Sequence, residues 1–151
     1  MKKLLSQLEE IENLKSFSNK ISPNISDASV GWHLEHSLLV ISKIIEGLKI
    51  SNPENYAPKN SFAKFFVFTT GYIPKKKGKA PKITIPKENF IPENISENIN
   101  FVKENLHQLN ALHPNSYIEH PYFGHLNLKE SLKFLKIHTN HHLKIVKDIQ
   151  K

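Results

Sequence analysis

At 151 residues, 38% of them hydrophobic, the chain can fill one bundle-sized core but not two ordinary domains, so a single domain over 1–151 is expected. The formal charge of +7 comes entirely from lysine; with no arginine fork to read guanine edges or clamp phosphates, no specific nucleic-acid partner is expected. The absence of cysteine excludes disulfides, thiolate ligands and a cysteine nucleophile, which leaves nitrogen and oxygen donors for any metal.

The N-terminal MKKLLSQLEEIE has no apolar run of the signal-peptide kind. Nothing later approaches the roughly 20 consecutive apolar residues of a membrane span, so a cytoplasmic protein without a membrane partner is expected. Leu4, Leu8, Ile11 and Leu14 recur at three- and four-residue spacing and predict an amphipathic helix ending near Phe17. Asp27 is the expected N-cap of a long apolar second helix from about Ala28 to Lys49. The segment 50–60, with Pro53 and Pro58, reads as a loop. The run Phe62, Phe65, Phe66, Val67 and Phe68 is too short to assign by period; its helical surroundings favour a buried helix over a strand. Prolines, glycines and the cluster Lys75 to Lys82 make 71–91 an irregular crossover, with the lysines solvated rather than phosphate-binding. Pro92 is placed to open a fourth helix with the stripe Ile95, Ile99, Val102, Leu106 and Leu109. His113 to Leu126 reads as a second loop containing HPYFGHL. Asn127 and Glu130 form a capping-box-like pair that opens the last helix, which runs to about Ile149. The expected fold is all-α, a four-helix bundle with a long irregular crossover loop.

The chemistry concentrates in that last helix. Its apolar stripe is Leu128, Leu132, Leu135, Ile145, Val146 and Ile149, and His138 and His142 fall in the middle of it, where leucine is expected. Residues four apart on a helix point the same way, so both imidazoles can converge on one ion. A single histidine on an apolar face is more often a hydrogen-bonded core residue. Two side by side without a shared partner would leave several buried polar groups unsatisfied, which favours ligands. His141 lies on the flank. A third donor is expected from the second helix, where the period slightly favours His33 over His36. His120, His125 and Tyr122 could line the site, but turn-shaping is the favoured reading; His107 and His113 read as surface residues. Trp32 is expected to pack in the bundle, with a pocket wall as its other role. Glu35 and His33 are the candidate general bases by proximity.

The segment ASVGWHLEHSLL resembles the first-ligand helix of the DinB-like superfamily of damage-inducible and YfiT-like metalloproteins. Ser29, Val30, Leu34 and His36 match its motif, and Ala28 stands where that motif has tryptophan. HTNHHLKI resembles the closing H-x-x-H-H motif on His138, His141 and His142, followed here by Leu143-Lys144-Ile145 rather than Arg-Gly-Gln. The stretch from HPYFG into the last helix resembles an uncharacterised branch of that superfamily. The resemblance implies a four-helix bundle with a three-histidine metal site at His36, His138 and His142, and relatives that are hydrolase-like or thiol transferases. The expected function is therefore a metal-dependent enzyme acting on a small molecule, a thiol among the candidates, through a divalent ion, zinc or nickel by preference. The alternative is a non-catalytic metal-binding bundle serving as an interaction module, which would show full coordination and no pocket beside the ion. A homodimer is expected from an exposed apolar helix face.

Overall fold

The computed structural model describes residues 1–74, 82–86 and 93–151. The lysine cluster at 75–81 and the start of the fourth helix at Pro92 lie outside these residues. Helix α1 (Lys2–Leu14) continues as a single 3-10 turn, Lys15–Phe17, and Leu4, Leu8 and Ile11 are buried as the heptad-like spacing requires. Helix α2 (Val30–Ile50) starts two residues later than the sequence suggests, because the Ser29 hydroxyl, not Asp27, accepts from the Trp32 N–H. Helix α4 (Glu93–Gln108) runs into a 3-10 turn, Leu109–Ala111, and the predicted stripe from Ile95 to Leu109 is buried throughout. Helix α5 (Leu128–Gln150) carries the predicted capping box in full: the Asn127 side chain accepts from Glu130 N–H, and the Glu130 carboxylate accepts from Asn127 N–H.

These four long helices pack around a shared core in the cyclic order α1, α4, α2, α5. Helices α2 and α5 are antiparallel neighbours, since His33 meets His142 while His36 meets His138. Among the described residues no helix is long and apolar enough to cross a membrane.

The expectation of an all-α fold is corrected at one place. Residues Tyr117–His120 (β1) and Gly124–Asn127 (β2) form a two-stranded antiparallel hairpin where a loop was expected. Gly124 takes a positive φ of 67° at the turn, which a side chain disfavours. The hairpin closes on α2 because Gly47 has no side chain: a Cβ there would stand 2.8 Å from Ile118 Cγ2.

Helix α3 (Phe62–Thr70) is helical as favoured, capped by Ser61 and ended by Gly71 at φ 65°. It is not buried: Phe62 is 83% and Phe65 68% exposed. Its inward residues are Lys64 and Val67, and Lys64 pairs with Glu130 at 2.8 Å, which ties α3 to the start of α5.

Candidate metal centre

The long apolar helix α2 is buried on most of its girth, so both of its histidines point inward: His33 and His36 are each buried. On α5, His142 is buried and His138 partly so. The structure brings His36, His138 and His142 together, with one ring nitrogen from each lying within 4.8 Å of the others. His138 Nε2 and His142 Nε2 are 3.2 Å apart. That is close to the spacing of about 3.4 Å that two nitrogens adopt on one tetrahedral ion at about 2.0–2.1 Å. The widest pair in the set, at up to 4.8 Å, must close by up to about 1.4 Å to share such an ion.

The surroundings fix how each ring presents itself. His36 Nδ1 donates to the Thr84 carbonyl at 2.7 Å, which leaves Nε2 with a free lone pair. His142 Nδ1 lies 3.0 Å from His33 Nδ1, and His33 Nε2 lies 2.9 Å from the Ser26 hydroxyl. A lone pair on His142 Nε2 sets the direction of that chain: His142 Nδ1–H donates to His33 Nδ1, and His33 Nε2–H donates to Ser26 Oγ. Ser26 Oγ also accepts from the Ala28 N–H. His138 Nδ1 is buried without a hydrogen-bond partner among the described residues.

Burial opposes positive charge on all of these rings. It holds His138 and His142 well below the ordinary imidazole value, and neighbouring histidines push the same way. Burial also lowers His36, against the opposing hydrogen bond to Thr84, and takes His33 down to about 4 with help from His36 and His141. The rings are therefore neutral at physiological pH, which is the state in which imidazole binds metal. The donor set fits a divalent transition ion: neutral imidazoles, hydrogen-bonded behind the coordinating nitrogen in two of the three cases.

The cluster does not sit in a closed core. It opens into a cavity of about 760 Å³ walled by α2, α3, the turn Lys82–Thr84, the hairpin and α5. Trp32 lines this cavity and stacks on His36 with ring centroids 4.8 Å apart, so its wall role is the one observed. His120 and Tyr122 line it too while also shaping the hairpin turn, so both of the roles considered for them are observed. His120 stacks on Phe123 at 4.3 Å, its Nδ1 accepts from Tyr122 N–H, and burial takes it down to about 4. His125 follows the simpler reading: it accepts from Ala57 N–H and stacks on Tyr117, outside the cavity lining. His141 lines the cavity. Neither base candidate, Glu35 or His33, is among the lining residues; burial raises the Glu35 carboxyl above its ordinary value, and its Oε2 is buried without a hydrogen-bond partner among the described residues. His33 is engaged at both nitrogens, behind the site rather than facing the cavity. Thr84 and Ser26, which orient His36 and His33, had no recognisable sequence signal, since each acts through a chain segment far from its partner or through a single hydroxyl.

Fold and site together define a mostly helical protein with a three-histidine cluster capable of holding a metal ion beside a cavity. The chain belongs to the family described as "Protein of unknown function (DUF1569)", whose profile matches residues 1–149. No curated protein and no solved structure matches it.

Proposed function

We infer that this protein is a metal-dependent enzyme acting on a small molecule through His36, His138 and His142, with zinc or nickel as the preferred ion. The observation that carries the reading is the cavity beside the three nitrogens. A purely structural ion would be enclosed by ligands, whereas three ligands facing open volume leave a coordination position for water or substrate. The resemblance to DinB-like metalloproteins, which have a histidine at each of these three positions, supports the same reading and the same reaction classes, hydrolytic or thiol-dependent transfer.

A bound divalent ion would lower the pKa of a bound water toward 7 or polarise a substrate donor atom. The chain's own residues do the rest. Thr84 holds the His36 ring with its proton on Nδ1, and His33 with Ser26 does the same for His142. Trp32, stacked on His36, shields one side of the cluster from solvent. His120, with Nδ1 occupied by the Tyr122 N–H, carries its neutral-state proton on Nε2 and is the cavity's candidate hydrogen-bond donor to a substrate.

Tag-free protein reconstituted with zinc or nickel is expected to hydrolyse activated esters, or to transfer a small thiol to an electrophilic acceptor, above the rate of the chelator-treated protein. Turnover is expected to return on metal addition. Equal rates for loaded, chelated and His138→Ala protein would leave the non-catalytic binding module as the better account. The reading also keeps the homodimer, with the exposed Phe62 and Phe65 face of α3 as the contact. Light scattering at micromolar concentration should give the dimer mass, and a single monomeric peak would remove it.

A further inference from the structure

Among the described residues, the cavity's polar groups concentrate at one end. Its histidine end holds the three candidate ligands, His141 and Thr84, whereas the wall formed by α2 continues through Val40, Ile44 and Gly47. From His36 to Gly47 that wall covers about 16 Å of helix axis. Facing it are Ile83, Ile118 and Phe123. Of the described polar residues away from that end, His120 stacks on Phe123 with Nδ1 held by the Tyr122 N–H, Tyr117 stacks on His125, Tyr122 is exposed, and the other three are committed or stand at the solvent rim. Ser51 Oγ donates to Leu48 O and accepts from Tyr117 N–H, Lys43 pairs with Glu46 in solvent, and Glu119 is exposed. Among the described residues, the α2 wall from Val40 to Gly47 offers no polar side chain except Lys43 at the rim, so it rewards the removal of apolar surface from water, while His120 on the facing side remains the candidate donor to a substrate.

From this arrangement the geometry points to a substrate class: an elongated molecule with one donor headgroup for the histidine end and an apolar chain or ring system lying along α2. The inference rests on the reading of the histidines as a metal site for the headgroup, but its apolar half stands on the cavity wall alone. Each methylene added to a ligand that fills the channel tightens binding about fourfold until the channel is full.

The test uses two homologous probe series, n-alkyl hydroxamic acids and n-alkanols of two to ten carbons, on zinc-loaded and chelator-treated protein. Binding is read from the emission of Trp32, which is the sole tryptophan and lines the cavity. Both series should tighten steeply with chain length, and the hydroxamates alone should lose affinity on chelation. Ile44→Phe, which leaves Trp32 the sole tryptophan, should shorten the chain length at which affinity levels off, with acetohydroxamate binding retained. Chain-length dependence in both series with no effect of chelation would overturn the metal reading and leave this one standing. A chelation-sensitive headgroup effect with affinity flat across both series would overturn the apolar channel and leave the metal reading.

Discussion

His33 stands behind His142, where a ligand-orienting partner belongs, with Ser26 fixing its far nitrogen. Replacing His33 with alanine should therefore weaken metal binding by about 10- to 100-fold, as loss of an orienting hydrogen bond does, while one ion per chain still binds at saturation. Competition against a chromogenic chelator measures this; loss of stoichiometric binding would make His33 a ligand. His142→Ala should abolish binding, and His141→Ala should retain it. The α5 pair was legible because two imidazoles occupy leucine positions of a clean stripe. The α2 choice was not legible from period, since a helix buried on most of its girth turns both His33 and His36 inward; the motif resemblance pointed to His36, and the tertiary contacts separate their roles. The same rings set the acid sensitivity of the metal-free protein. Imidazoles whose folded values lie below 6.5 bind fewer protons folded than unfolded, so stability is fully present above about pH 6.5 and falls with pH below it. For His33 and for His120, both near 4, the loss reaches about 3 kcal/mol each by pH 4. Urea midpoints taken between pH 4 and 8 should decline on the acid side, and a flat profile would contradict neutral burial of these rings.

Gly47 makes a joint between elements. Gly47→Ala should lower the melting temperature by pushing Ile118 and the hairpin off α2, and the double variant with Ile118→Ala should recover part of the loss; additive losses would show that the contact is not the cause. The N-caps are separable from the site, so Ser29→Ala should cost about 1 kcal/mol without changing metal affinity. At this scale the long helices were legible because their stripes run for three turns or more. The hairpin was not: the turn signals Pro121 and Gly124 were visible, but two four-residue strands are too short for alternation to stand out, so the segment read as a loop. The exposed aromatics of α3 were misplaced for a related reason, since a short apolar run carries no information about which of its faces finds a neighbour.

For the whole molecule, metal binding and folding are one equilibrium. An ion that binds only the folded chain adds about 4 kcal/mol when its free concentration exceeds the dissociation constant about 1,000-fold, so a chelator should lower the melting temperature at neutral pH. The effect should fade below about pH 6, where protons compete for the imidazoles. The central claim is that His36, His138 and His142 hold a divalent ion. The most direct measurement is elemental analysis of tag-free protein after equilibrium dialysis against limiting zinc or nickel, beside His142→Ala. One ion per wild-type chain and none in the variant is the predicted result. No ion in either protein, or equal content in both, would contradict the account.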